Sequence, residues 1–320
     1  MAEEILKRKI IVSGSVAFDR IMDYNGLFAE HFVADKIHSI NLSFTVDKLS
    51  VEFGGTAGNI AYNLALLGES PEIIATAGAD FGPYRSHFLL SGVDPTSIKI
   101  IEGELTASAV VLTDTADNQI SAFHPGAGKY AYDTPVDTEG RALAIIAPGN
   151  TEDTTTLPAY YRRKGLRYCY DPGQQILALT PDQLKDGISG AHTLFASDYE
   201  FGLIAQKTGW AAGPILERVT NLVVTYGAEG SRVFTKDGEG KVKAVLVKDA
   251  VDPTGAGDAY RAGFIKGMLL ALPLESCAKL GSVVAAYAVE THGTQTHRFT
   301  ISEVAERYKK SYGEKLEIGK

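Results

Sequence analysis

Asp252-Pro253-Thr254-Gly255-Ala256-Gly257-Asp258-Ala259-Tyr260-Arg261-Ala262-Gly263-Phe264 is the stretch from which the rest of the chain can be read. Pro253 and the two glycines break the preceding segment. Beyond them Ala259, Ala262, Gly263, Lys266 and Leu270 recur every three or four residues, which predicts one face of a helix with Lys266 as its polar exception. The first turn of a helix has amide N–H groups without carbonyl partners and the positive end of the peptide dipole, so it favours an anion. Gly255 and Gly257 carry no Cβ to hold a phosphoryl group off. Asp258 falls in that first turn, placed to take a proton from a hydroxyl attacking the phosphorus. Read by itself, the run is also a plain Asp-Pro-Thr-Gly turn with an acidic helix start.

A second glycine-led helix start lies at Phe53-Gly54-Gly55-Thr56-Ala57-Gly58-Asn59. Here a neutral Asn follows instead of a Lys, so backbone amides and Asn59 suit sugar hydroxyls better than phosphate; a capped turn explains the same residues. No Gly-x-x-x-x-Gly-Lys-Ser/Thr run occurs, which excludes a P-loop. Asp19, in Gly14-Ser15-Val16-Ala17-Phe18-Asp19-Arg20, is expected just after a first strand, facing a ligand at the sheet's carboxyl edge or pairing with Arg20.

Working outward, short apolar runs at Ile10–Val12, Ile73–Ala77, Leu143–Ala147, Thr193–Ala196 and Leu222–Thr225 read as buried strands. Segments with helical spacing lie between them, including Ala57–Gly68 and the nearly all-apolar Val283–Val289. Strands alternating with helices predict an α/β fold: a mostly parallel, Rossmann-like sheet flanked by helices, with ligands at the strands' carboxyl ends. Two segments break the alternation. Residues 37–52 read as a period-2 strand through Ile37, Ile40, Leu42, Phe44 and Val46. Residues 108–124 read as a hairpin, Ala109–Thr113 and Gln119–Phe123, turning at Thr115-Ala116-Asp117-Asn118. These predict a small β-sheet lid, drawn from about 20–52 and 105–128, on a single domain spanning 1–320.

Composition agrees. The 320 residues, 45% hydrophobic and 22% charged, are enough for a sizeable core. With 31 basic against 39 acidic residues and no basic run, nothing predicts a nucleic-acid partner. Only Cys169 and Cys277 occur, so a reducing compartment is expected. No secretory pattern opens the chain and no apolar run nears the roughly 18 residues that cross a membrane, so a cytoplasmic protein with a small-molecule partner is expected.

Taken together, the Asp-x-Thr-Gly-Ala-Gly-Asp run, the Gly-Gly-x-x-x-Asn run and Asp19 resemble the ribokinase-like (PfkB) family of carbohydrate and nucleoside kinases. Gly54 to Gly68, Phe123-His124-Pro125-Gly126-Ala127 and Val283 to Glu290 look most like its bacterial adenosine kinases. The resemblance implies Asp258 as catalytic base and the amides of Gly255, Ala256 and Gly257 as the anion hole. It implies Asp19, Gly54, Gly55 and Asn59 at the sugar, with Phe123 on the lid stacking on a base. The family's Asn-x-x-Glu motif falls on Ser197-Asp198-Tyr199-Glu200, with Ser197 in place of Asn; Glu200 would organise magnesium through water, and is otherwise an ordinary exposed acid. Thr225, Gly227 and Gly230 match a segment that meets ATP, or form a simple hairpin turn. Asp252 and Thr254 match a potassium site that would draw on backbone oxygens of Ala288 and Gly293, with His297 where a hydroxyl is often found.

His292 and His297 lack the spacing of helical zinc ligands and are expected to face solvent. The implied reaction is ATP- and magnesium-dependent phosphorylation of adenosine at its 5′-hydroxyl to give AMP. The alternatives are a broader nucleoside kinase, a ribose or fructose kinase, and a non-catalytic nucleotide or sugar sensor. Lid strands exposed at an edge would also suit a homodimer.

Overall fold

A computed structural model describes residues 10–31, 41–116 and 118–316. Its strands in chain order are β1 (Ile10–Ser13), β2 (Ala17–Asp23), β3 (Lys48–Gly54), β4 (Pro71–Ile74), β5 (Thr76–Gly78), β6 (Lys99–Ile101) and β7 (Ala107–Thr113). They continue with β8 (Gln119–His124), β9 (Ala144–Ile146), β10 (Tyr168–Tyr170), β11 (Thr193–Ser197), β12 (Asn221–Thr225), β13 (Ser231–Thr235) and β14 (Gly238–Val242). The helices are α1 (Thr56–Leu66), α2 (Gly82–Ser91), α3 (Thr151–Lys164), α4 (Pro181–Ile188), α5 (Asp198–Thr208), α6 (Ala212–Leu216), α7 (Ala256–Leu269), α8 (Leu274–Val289) and α9 (Ile301–Tyr312).

The main sheet runs β14-β13-β12-β11-β10-β9-β1-β4, parallel from β12 to β4 and closed at one edge by the antiparallel β13 and β14. Side chains alternate across it because a strand's period is two. Ile10, Val12, Ile145, Cys169, Phe195 and Val223 face one core with α1, α2, α7 and α8. Ile11, Ile146, Tyr170, Leu194, Leu222 and Val224 face the other, against α3, α4, α5 and α6. Both cysteines are buried. Lys266 is the expected polar exception on α7, and its ammonium reaches Glu69 at 2.5 Å.

A separate four-stranded sheet has the order β3-β2-β7-β8, with β2 and β7 parallel and the other pairs antiparallel. The hairpin expected over 108–124 is there, Asp117 of its turn lying outside the described residues. Three expectations change. The strand expected over 37–52 is observed at Lys48–Gly54 only; residues 41–47 are irregular, and Ile37 and Ile40 lie outside the described residues. Phe44 instead turns its ring onto Tyr24 and Phe28, at 4.9 and 5.3 Å between centroids. Alternation alone cannot distinguish a strand from a loop whose apolar residues pack on one side. The run Ile73–Ala77 is two strands: β4 joins the main sheet and β5 pairs with β6. Asp19 does not follow a strand at the main sheet's edge but sits inside β2, opposite Glu52 and Ala109. β10, with the sequence Tyr-Cys-Tyr, is also a central strand that too short an apolar run concealed.

Candidate active site

Chain crossings between β1, β9, β10, β11 and β12 leave their carboxyl ends facing the amino end of α7, where the chain carries most of its chemistry. Gly255 caps α7 in the left-handed region (φ 76°), with no side chain capping the first turn. The Ala256 amide donates to Pro253 carbonyl oxygen at 3.2 Å, so of the three amides expected in the anion hole it is already engaged in the turn.

Asp258 stands two residues beyond Ala256 and is half-buried. Its Oδ2 accepts from Nδ2 of Asn59 at 2.8 Å, a contact spanning 199 residues that joins the two glycine-led helices. Burial pushes Asp258 up to about 7, against the Asn59 bond and the nearby Arg261 charge, which lower it. As a base it works only when ionised. We therefore expect kcat/KM to fall about tenfold per pH unit below a midpoint near 7, and a pH–rate profile flat down to pH 5 would contradict this.

Asp19 lies on β2, between β3 and β7. Its carboxylate rests on Gly54, where any Cβ would come within 2.3 Å of Oδ2. Burial, with the charges of Asp252 and Glu52, raises Asp19 to about 6. Gly55 takes φ 90° and packs so close to Ser15 and Val16 that a Cβ would meet backbone at 2.6 Å. The amides expected to be free at the start of α1 are not. Thr56 N–H donates to Ser15 Oγ at 3.0 Å, and Ala57 and Gly58 N–H to the Ser15 carbonyl at 3.0 and 3.4 Å. Ligand contact at this turn is left to the Asn59 side chain and the Gly54-Gly55 backbone.

Ser15 and Val16, which pack on Gly55, also line a cavity of 450 Å³ together with Phe123, Pro125, Asn150 and Gln175. Phe123, 64% exposed on β8, presents its ring there.

Behind the amino end of α7, Arg261 is buried one turn along the helix. Its guanidinium bonds both oxygens of Asp171, just after β10, donates to the Gly257 carbonyl at 3.1 Å, and lies 4.0 Å from Glu200. Burial opposes its charge, but Asp171 and Glu200 outweigh that and hold it above its ordinary value. Nothing in the reading of the sequence singled out this pair. The available signal was a charged residue between Ala259-Tyr260 and Ala262-Gly263, which only a buried partner can satisfy.

Ser197 is the N-cap of α5 and forms a capping box with Glu200: its hydroxyl accepts Glu200 N–H at 3.2 Å, and Glu200 Oε2 accepts Ser197 N–H at 2.7 Å. Glu200 is therefore not a plain surface acid. Among the described residues no group of three His, Cys, Asp or Glu stands together to hold a metal. Asp252 accepts from Thr254 and Gly293 N–H at 2.9 and 3.1 Å, which brings together the two segments of the expected potassium site. His297 does not join it. It is buried rather than solvent-facing, its Nε2 2.8 Å from Asn63 Oδ1, and burial lowers it to about 4. His292 is exposed as expected. Thr225 ends β12, and Gly227 and Gly230 form the turn into β13, both with positive φ.

Comparison with known proteins agrees with this arrangement. Residues 7–300 match the pfkB family carbohydrate kinase description. A nucleoside kinase of Methanothermobacter thermautotrophicus is 32% identical over 96% of this chain and 97% of its own length. The Burkholderia thailandensis nucleoside kinase solved in complex with inosine is 33% identical, covers 96% of this chain and 99% of its own, and superposes with a TM-score of 0.85. The Methanocaldococcus jannaschii nucleoside kinase, an archaeal member of the ribokinase family, is 28% identical over 95% of this chain and 99% of its own, at a TM-score of 0.86. The sheet order, the two glycine-led helices meeting at Asn59 and Asp258, and these likenesses together establish a ribokinase-like kinase fold, and the chain belongs to the pfkB family of carbohydrate kinases.

Proposed function

We propose that this protein transfers the γ-phosphoryl group of ATP to the 5′-hydroxyl of a nucleoside. The acceptor range is broad, with adenosine and inosine both inside it, rather than adenosine alone. The observation that carries the reading is the 450 Å³ cavity lined by Phe123 and by Ser15 and Val16, the two residues that pack on Gly55. A free pentose would be held by Asp19 and Asn59 and leave that space unused, whereas a base attached to the sugar fills it. Of the kinases similar to this chain over nearly its whole length, those at 28% identity or more are nucleoside kinases, one of them bound to inosine, while the ribokinases that share the fold are at most 20% identical.

In this reading Asp19 and Asn59 orient the ribose, and the 5′-hydroxyl reaches Asp258, which takes its proton as the oxygen attacks the γ-phosphorus. The amino end of α7 stabilises charge on the phosphoryl oxygens. ATP lies along Thr225, Gly227 and Gly230, at the carboxyl end of β12. Glu200 would hold, through water, the magnesium carried on ATP, which would neutralise phosphate charge, and Asp252 and Thr254 would hold potassium. The sheet of β2, β3, β7 and β8 covers the site and excludes the water that would otherwise hydrolyse ATP.

The test is ADP release from magnesium-ATP with adenosine, inosine, cytidine, ribose and fructose, for the native chain and Phe123→Ala. Nucleosides should be turned over in preference to free sugars. Losing the ring against the base should raise nucleoside KM about 5- to 100-fold while leaving ribose turnover as it was. A preference for ribose or fructose would overturn the nucleoside reading and leave the kinase chemistry standing.

A further inference from the structure

Asn59 has two faces, and which one meets Asp258 decides whether the site works. Its amide nitrogen donates to the carboxylate, while its oxygen would repel it. Two buried side chains, Gln295 and Tyr84, and the half-buried His87 behind Asn59 bear on that choice. Gln295 Nε2 donates to Asn59 Oδ1 at 3.0 Å and to the Tyr84 hydroxyl at 2.5 Å, and Gln295 Oε1 lies 3.0 Å from His87 Nε2. Tyr84 in turn donates to the Gly54 carbonyl at 2.8 Å. Asn59, Gln295 and Tyr84 are at most 4% exposed, so none can exchange a partner for water.

Every direction in this chain follows from its two ends. A carbonyl oxygen only accepts, so Tyr84 gives its proton to Gly54 and must accept from Gln295. An ionised Asp258 only accepts, so Asn59 turns its nitrogen to it and its oxygen to Gln295. Both ends require the Gln295 nitrogen to point inward. Its oxygen then points at His87, whose Nε2 must carry a hydrogen. His87 stacks on Phe53 (centroids 4.4 Å apart, 17° between planes) and faces Tyr62, and burial lowers its affinity for a proton. Protonating it would add a hydrogen at Nδ1 and leave the Nε2 bond intact.

We propose that Gln295, supported by His87 and Tyr84, is a positioning residue that locks the Asn59 amide with its nitrogen on Asp258, leaving the other carboxylate oxygen for the substrate hydroxyl. The inference rests on the reading of Asp258 as base. It also explains Gly58, which the phosphate and sugar arguments left without a purpose. A Cβ there would come within 2.1 Å of the Tyr84 hydroxyl and 3.0 Å of Gln295 Nε2. The third glycine of the motif is the space in which the relay lies.

The experiment reads the titration of the Asp258 carboxyl by 13C NMR in the ligand-free chain, its resonance identified by its loss in Asp258→Asn, together with kcat and KM. Besides Asn59, the groups facing Asp258 are Arg261 on its own helix, Asp171 after β10, Glu200 on α5 and Tyr84 on α2. All of these stay in Gln295→Met. That variant releases the Asn59 amide, so the Asp258 midpoint should rise by about one pH unit. In the same variant kcat should fall about 100-fold, with nucleoside KM rising by about tenfold at most, because Asp19 still holds the ribose. Gly58→Ala keeps every side chain of the relay but displaces it, and should move both quantities the same way. His87→Phe, which keeps the stack and removes the N–H, should do so more weakly, and His87→Gln should restore the native values. If Gln295→Met does not fold, Gly58→Ala and His87→Phe read the same midpoint. Folded variants titrating at the native midpoint would overturn the proposal. Full turnover by Asp258→Asn would instead remove the base reading, a separate and recognisable result.

Discussion

Asp258→Asn should lower kcat by about 10²–10⁴-fold, the range a positioned general base contributes, while nucleoside and ATP still bind. The substitution is nearly isosteric, and an Asn at 258 can present its oxygen to the Asn59 nitrogen now 2.8 Å from Oδ2, so the joint between α1 and α7 survives. Folding should respond in the opposite sense to catalysis. The Asp258 pKa is raised in the folded chain to about 7. Its contribution to stability is therefore complete below the unfolded-state value and is lost as pH rises through about 7. The neutral variant lacks that loss, so at pH 8 it should melt at or above the native temperature. Turnover within tenfold of native, measured by ADP release on protein verified by thermal unfolding, would remove Asp258 from the chemistry.

Arg261→Met should be the most damaging single change to stability. It leaves Asp171, whose side chain is 3% exposed, as a charge without its partner. Breaking a buried pair from one side costs about 3–5 kcal/mol, which for a chain of this size lowers the melting temperature on the order of 10 °C. Arg261→Met combined with Asp171→Asn removes both charges and should recover most of that loss, because the cost lies in the unpaired carboxylate. A single variant that melts with the native chain, or a double variant that melts lower than the single, would refute the account. The pair matters to function because it ties the ends of β10 and α7 together, with Glu200 4.0 Å away, beneath the proposed phosphoryl site.

Much of the fold was legible because its signals are local. The short apolar runs of β1, β9, β11 and β12 follow from burial on both faces between two helix layers, and the apolar spacing of α1 and α7 from one buried face each. β13 and β14 were not, since Ser231–Thr235 and Gly238–Val242 form an antiparallel edge with few apolar residues. β5 was merged with β4 because two strands separated by one residue show no break in their apolar run.

The site divides in the same way. Residue type and close spacing singled out Gly54, Gly55, Asn59, Gly255, Gly257 and Asp258 as candidates, which a plain capped turn explained equally, and the resemblance to the ribokinase-like family gave them roles. Everything that depends on distance along the chain required the folded structure. Asp19 belongs to β2 because β3 and β7 pair with it from either side. His297 is a core residue because Asn63 reaches it across 234 positions, and Arg261 is neutralised across 90. Local sequence determines where a helix begins and which chemical groups it carries there. Only tertiary packing determines which partner a buried polar group finds, because a buried donor or acceptor has no water to turn to and must be satisfied by whatever the fold brings beside it.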